Sequence, residues 1–476
     1  MIQVNSDNFS PLYLDMLEKF TLPLNPDVNL ASTLNVINAK MAHMVTSKRI
    51  MVRPIPEEKP NIVNYYGLNF ISSGGGKDKL AKEVDNYLLD KFKAHFFEQV
   101  NNDEPENEEK AEETEEAEET KVVKKPKPIR EPRYEIGDGT PEGVYADCEV
   151  LNELEFGSVF IRIPEFGAFI QNATQAQQGF LNFLVEAYDG SPSLKSIKAE
   201  KMKSFVQNIP VNCLLYSDTN RVINNKAGKF LNDMLDVGMV RRAFTTYVED
   251  KPLVINENSA EDKAVKGAAY EYGKILGEKL FEIYTKIPYK AVYTPNIEAY
   301  ERYYRYEIDN KKQFNRILNM PDDIIKKEVR TRHWKTLKLS AIIAALGHPE
   351  TVEITLQDME YAIYQSELLA ESFREFIKIT PTTDAERLYG FFMENKNQWL
   401  TKSQIDKQKF VNRAKFSRWF NENLELVKEL ATIGGYEIIE EPFGGYTGNS
   451  GKRYKLVDNN NGKESELLRE LVDEVF

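Results

Sequence analysis

Apolar residues recur along the chain with two different periods. In "DKLAKEVDNYLLDKFKAHFFEQV", Leu80, Val84, Leu88, Phe92 and Phe96 stand at steps of four, which is one stripe of a helix. "LASTLNVINAKMAHMV" carries the same helical spacing. "SPLYLDMLEKF" opens with Ser10 and Pro11, a helix start, because a first-turn proline lacks an N–H that the helix would leave unused. "NIVNYYGLNFIS", "GSVFIRIPEFGAFI" and "FVQNIPVNCLLYS" are instead short apolar runs bounded by turn residues, which predict buried strands. "PEGVYADCEVLNEL" and "QGFLNFLVEAYDG" predict helices between them, and "AGKFLNDMLDVGMVRRAFTTYVE" a helix, a turn and a strand. Strands alternating with helices predict an α/β fold, a mostly parallel sheet wrapped by helices.

Beyond residue 255 the helical period takes over, in "DKAVKGAAYEYGKILGEKLFEIYTKI", "DDIIKKEVRTRHWKTLKLSAIIAALG" and "LQDMEYAIYQSELLAESFREFIKI". After residue 380 three shorter helices precede the hairpin "YEIIEEPFGGYTGNSGKRYKLVD", a pattern that suggests a winged helix. The expected organisation is a helical segment over 1–60, an α/β core over 61–255, a helical domain over 256–380, a winged helix over 381–457 and a tail helix over 458–476.

Composition changes this picture in one place. The net charge is −13, but residues 103–119 alone hold eleven acids and one lysine, so the rest of the chain is near neutral. The basic, proline-rich "KVVKKPKPIREPR" follows. This segment cannot bury apolar surface, and 101–133 reads as a charged disordered insert. Two cysteines and four histidines give no disulfide framework or metal cluster. No run is long and apolar enough to span a bilayer. The start lacks the basic and apolar parts of a secretory signal. A soluble chain of a reducing cytoplasm is therefore expected.

The chemistry centres on "NFISSGGGKDKL". A predicted strand meets three glycines and a lysine, and a helix follows, the layout of a phosphate-binding loop. Ser73, Gly74, Gly75 and Gly76 would offer backbone N–H groups to the phosphates, and Lys77 would reach the outer ones. The standard pattern wants glycine where Ile71 stands, and Ser or Thr where Asp78 stands. A glycine-rich turn with a surface lysine is the alternative. A carboxylate at 78 is a strong Mg²⁺ ligand, but it repels phosphate unless the metal lies between them.

A hydrolysing site also needs an acid at the end of an adjacent strand. "SVFIRIPEF" ends in Pro164 and Glu165, so Glu165 is the candidate for orienting a water, and Pro164 occupies the usual place of a metal-binding Asp. Asp78 would then replace that lost ligand. Ser217 and Asn220, at the polar end of "NCLLYSDTN", are candidates to sense the outer phosphate. Arg241 and Arg242 in "GMVRRAF" are candidates to reach a neighbouring subunit's nucleotide.

Taken in order, "SSGGGKD", "GTPEGVYADCEVL", "FIRIPEFG", "GMVRRAF" and "RTRHWKTLKLSAIIAAL" followed by "EITLQDMEYAI" resemble a family of phage and plasmid proteins. These are primase/helicase-like P-loop ATPases of a domain-of-unknown-function group with a RecA-like core. The resemblance covers residues 55–380. It implies ATP and Mg²⁺ as cofactors, a ring or filament of identical subunits, other replication proteins as partners, and ATP-dependent work on DNA in phage or plasmid replication. Priming is not implied, because the chain shows no zinc ribbon and no polymerase-like acidic triad.

The C-terminal region points to DNA independently. From Lys396 to Arg418 there are seven basic residues and one acid. Lys407, Lys409, Arg413, Lys415 and Arg418 gather about the start of the third helix, and Lys452 and Arg453 follow the hairpin tip, all placed to contact the phosphates of single- or double-stranded DNA. Trp399, Phe416 and Trp419 read as core. A protein-binding winged helix on a degenerate, non-catalytic ATPase fold is the competing expectation.

Overall fold

The computed structural model describes residues 6–26, 28–72, 77–101, 133–137, 141–154, 156–171, 175–190, 209–219, 238–249, 258–318, 323–379, 384–407, 415–433, 436–444 and 450–458. The chain divides into two compact units, one of Met1–Thr219 with Met234–Phe373, the other of Asn220–Asp233 with Arg374–Phe476. The breaks expected at 60 and 255 both fall inside the first unit. So the N-terminal helices, the sheet and most of the helical region share one body.

Among the described residues that body holds two four-stranded sheets. The smaller contains β1 (Met51–Val52), β2 (Asn61–Ile62), β7 (Val292–Pro295) and β8 (Glu353–Ile354), in the order β2-β1-β7-β8. The larger contains β3 (Tyr66–Ile71), β4 (Val159–Ile163), β5 (Val211–Ser217) and β6 (Phe244–Val248), in the order β4-β5-β3-β6. All its pairings are parallel, as the alternation of strands and helices predicts. β3 and β5 have every residue buried, which is why they read as continuous apolar runs.

Successive residues of β3 face opposite ways, and the two tyrosines at its start show what covers each face. The Tyr65 hydroxyl donates to Asn35 Oδ1 at 2.7 Å, in the helix Leu30–Thr46. The Tyr66 hydroxyl donates to the Leu184 carbonyl at 2.7 Å, in the helix Gln175–Tyr188. The sheet is thus sandwiched. Leu30–Thr46 is buried along its whole length from Ala31. Its polar side chains therefore need internal partners. Asn35 Nδ2 donates to Asn69 Oδ1 at 3.0 Å, Asn38 Nδ2 to Gln365 Oε1 at 3.1 Å, and His43 Nδ1 lies 2.8 Å from Ser158 Oγ. Gly67 lets this helix approach, since a Cβ there would meet Asn35 Oδ1 at 2.9 Å.

The stripe from Leu80 to Phe96 is buried at every position, but its helix is not continuous. Lys77–Glu83 passes into a π-helical turn, Val84–Leu88, and resumes as Asp90–Asn101. The long helix Ser259–Lys286 packs against that turn. Gly273 and Gly277 mark the contact, because a Cβ on Gly277 would stand 2.3 Å from the Tyr87 carbonyl oxygen.

The second unit holds the helices Asp384–Glu394, Lys402–Asp406 and Phe416–Ile433, with β9 (Leu400–Thr401), β10 (Tyr436–Gly444) and β11 (Ser450–Asp458) in an antiparallel sheet of order β10-β11-β9. Its core gathers Leu388, Phe392, Phe416, Trp419, Phe420, Val427, Tyr454 and Leu456. Thr401 caps the short helix with its side chain, and Gln404 closes a capping box with it.

Candidate functional site

The connections of the larger sheet reverse direction. The chain passes from β3 to β4 in one direction across the sheet and returns through β5 to β6 in the other. The helix after β3 lies on the side of Leu30–Thr46, where Lys40 Nζ meets Asp85 at 2.6 Å, and the helix between β4 and β5 lies on the opposite side. Such a reversal opens a crevice outside the carboxyl ends of the strands.

At that edge Phe70 of β3 pairs with Ser217 of β5, and Ile163 of β4 pairs with Leu215. Three carboxyl ends therefore stand level. Residues 73–76, with Ser73 and the three glycines, lie outside the described residues, as does Asn220. Lys77 begins the helix at this edge. Ser217 is buried, and its hydroxyl, like that of Thr219, has no hydrogen-bond partner among the described residues. Glu165 stands two residues beyond β4, half-buried, where its carbonyl accepts from the Phe169 N–H at 3.0 Å. β4 and β3 are not adjacent as expected, because β5 lies between them.

Asp78 is engaged otherwise than expected. Its Oδ1 accepts from Arg162 Nη1 at 2.8 Å, while Arg162 Nε donates to Glu135 Oε1 at 2.6 Å. Glu135 also meets the buried Lys40 at 3.1 Å, and Lys40 meets Asp85 at 2.6 Å. Acid and base alternate through five side chains beneath the start of the helix. Burial alone would raise the Glu135 carboxyl, but Lys40 and Arg162 hold it below its ordinary range. Burial would likewise lower Arg162, and Glu135 and Asp78 outweigh it. As arranged, a guanidinium takes one oxygen of the half-exposed Asp78 carboxylate. Among the described residues, no group of three or more His, Cys, Asp or Glu is placed to hold a metal ion. Arg162, Glu135 and Lys40 were not singled out in the sequence. The available signals were one arginine inside the apolar run "VFIRI" and one lysine inside an otherwise uncharged helix.

Arg241 and Arg242 lie at the other edge. β6 starts at Phe244, level with Gly67 near the amino end of β3, so the arginines before it stand about the length of β3 away, roughly 20 Å. They therefore stand far from the carboxyl edge of their own chain's sheet. Arg242 Nη2 donates to Asp189 Oδ2 at 2.7 Å, and Arg241 is exposed.

Compared with models of known protein families and with curated proteins, the chain matches none.

In the second unit, Lys407, Lys415 and Arg418 are exposed, while Lys409 and Arg413 lie outside the described residues. Arg418 pairs with Glu422 at 2.7 Å, Lys452 pairs with Glu440 at 2.9 Å, and Arg453 pairs with Glu441. The Arg453 guanidinium also lies 4.7 Å from the centre of the Trp399 ring. Trp399 is thus a half-buried stacking partner, whereas Phe416 and Trp419 are core. The basic character ends at the first turn of Phe416–Ile433: farther along, its exposed side carries Glu422, Glu425 and Glu429 beside Leu426, which is 50% exposed. No helix among the described residues is long and apolar enough to cross a membrane.

Proposed function

We propose that the first unit binds a nucleoside triphosphate at the carboxyl edge of the larger sheet and that the protein uses it in work on DNA. The observation that carries this reading is the location of the glycine-rich segment. "SSGGGK" leaves the end of β3, a central strand of a parallel sheet, at the crevice where the connections diverge to opposite faces. Backbone N–H groups of a glycine run at such a point are suited to phosphate oxygens. Ser217, whose hydroxyl has no partner among the described residues, ends the neighbouring strand. Glu165 stands beyond the next strand, within the same edge. In this reading the fold is RecA-like, and Glu165 orients the attacking water. Arg241 and Arg242, at the far edge, reach a nucleotide held at a carboxyl edge only when that edge belongs to a second copy of the chain.

The second unit has the element order of a winged helix, and in this reading it is the DNA-contacting part. Contacts centre on Lys407 and Lys415 at the head of Phe416–Ile433 rather than along that helix, whose later face is acidic. Exposed ion pairs such as Arg418 with Glu422 are weak, so phosphate competes for them at little cost.

A second reading is favoured by one observation. Arg162 neutralises Asp78, and Pro164 stands where a metal-binding acid is expected. A site so arranged suits binding without turnover, which would make the protein a nucleotide-gated DNA- or partner-binding protein. ATP hydrolysis with and without single-stranded DNA, compared with Lys77→Ala, separates the two. DNA-stimulated turnover lost in the variant supports the enzyme. ATP binding without turnover supports the second reading, and the absence of both contradicts the proposal.

A further inference from the structure

At the amino edge of the larger sheet, residues distant in sequence line a cleft of about 320 Å³. One wall is the helix Asp323–Gly347, which presents Thr331, Trp334 and Lys338 at helical spacing along one face. The others are Tyr188 and Asp189 beyond the helix Gln175–Tyr188, the start of the smaller sheet at Asn61 and Ile62, and the turn carrying Arg241 and Arg242. The volume lies at the lower end of the range of small-ligand pockets.

The turn is fixed at both ends. Thr331 Oγ1 donates to the Arg241 carbonyl at 2.8 Å, and Lys335 Nζ donates to the Ala243 carbonyl at 3.0 Å. Both guanidinium groups fold over Gly238, whose backbone is left-handed at φ +73°. A Cβ there would stand 2.9 Å from Arg242 Nη1 and 3.1 Å from Arg241 Nε. The missing side chain therefore lets two cations share one place.

The charge at this place is not balanced. Asp189 is the one carboxylate among the lining residues, and Arg242 takes it at 2.7 Å. Arg241 has no ion pair among the described residues, and Arg242 Nε is buried without a partner among them. Lys338 Nζ adds a third basic group, held by Asn64 Oδ1 at 2.8 Å and the Tyr188 carbonyl at 2.9 Å. Paired guanidinium groups favour a phosphate, whose oxygens accept several donors at once. Trp334 supplies a flat ring beside them, suited to stacking on a base.

We propose that this cleft is a second ligand site that takes a nucleotide unit, its phosphate on Arg241 and Arg242 and its base against Trp334. It does not rest on the reading of the carboxyl edge. The unit comes either as a free nucleotide or as part of a nucleic-acid strand, two sources with the same chemistry.

The test is calorimetric titration of the full chain with adenosine monophosphate and, separately, with a short oligothymidylate. The variants are Arg241→Ala, Arg241→Lys and Lys77→Ala. Arg241 is exposed, so its substitution should leave the unfolding transition in place. Saturable binding is expected, weakened about tenfold or more in Arg241→Ala, less in Arg241→Lys, and unchanged in Lys77→Ala. Binding of the monophosphate identifies a free nucleotide as the source; binding of the oligonucleotide alone, with the same dependence on Arg241, identifies a strand. No saturable binding of either ligand, or binding indifferent to Arg241→Ala, overturns the proposal. Binding lost in Lys77→Ala but not in Arg241→Ala also overturns it, and leaves the carboxyl-edge site standing.

Discussion

Arg162 is the residue on which the carboxyl edge turns. It ties the first turn of the helix after β3 to β4 by holding Asp78 on one side and Glu135 on the other. Removing it leaves two carboxylates facing each other without their common partner. Arg162→Ala should cost about 1–3 kcal/mol in urea unfolding. Arg162→Lys cannot hold both carboxylates with one planar fork, and should recover only part of that loss. Lys338 gives a pH signature at the other edge. Burial pushes its ammonium down to about 7, with Asp189 opposing the shift and Arg242 adding to it. An unfolded lysine keeps its proton to about pH 10. Between those values the unfolded chain holds more protons than the folded one, so stability rises with pH across the window, by up to about 1.4 kcal/mol per pH unit. Lys338→Met should remove that rise, as read from unfolding midpoints at pH 7, 8 and 9.

At the scale of elements, helix packing overrides helix propensity in a way that two glycines on one helix can show. Gly267 and Gly277 both lie within Ser259–Lys286. Around Gly267 a Cβ would meet nothing within 4 Å, so Gly267→Ala should stabilise by up to about 1 kcal/mol. At Gly277 it would run into the Tyr87 carbonyl, so Gly277→Ala should destabilise by about 1–3 kcal/mol despite the same propensity gain. Thermal unfolding of the two variants side by side checks both signs. The helices were legible because their stripes repeat over many residues: every position from Leu80 to Phe96 in the expected stripe is buried. β1 and β8 were not legible, being two residues long, too short for any period to appear, and β2 reads in the sequence as one strand with β3. Nor was the π-helical turn Val84–Leu88, since the chain keeps its steps of four through it. The acidic later face of Phe416–Ile433 was written in the sequence, but only the sheet and core of that unit reveal which side of the helix is outward.

At the scale of the whole molecule, the larger sheet separates two chemistries. Its carboxyl edge carries the end of β3, Ser217 and Glu165, and its amino edge carries Arg241, Arg242, Trp334 and Lys338. The motifs of the first edge are contiguous in sequence, so they could be read there. The second edge joins residues 61, 188, 241, 334 and 338, which only the fold brings together. A quartet of three buried charged side chains and the partly exposed Glu367 helps hold the two parts of the first unit. Glu328, Arg332, Lys335 and Glu367 interlock, and Lys335 reaches the carbonyl before β6. Burial alone would raise Glu328, but Arg332 and Lys335 hold it at about 2. Its folded value lies below the unfolded one, so its contribution is present above about pH 4.3 and lost as pH falls toward 2. Glu328→Gln should lose stability at pH 7 and converge with the native chain near pH 2, in unfolding curves taken at both values.

Equilibrium titration of the full chain with ATP, repeated on Lys77→Ala, tests the central claim most directly. Saturable binding that the variant weakens by about tenfold or more is the predicted result. Equal affinity in the two proteins, or no binding to either, would contradict the placement of a triphosphate at the carboxyl edge.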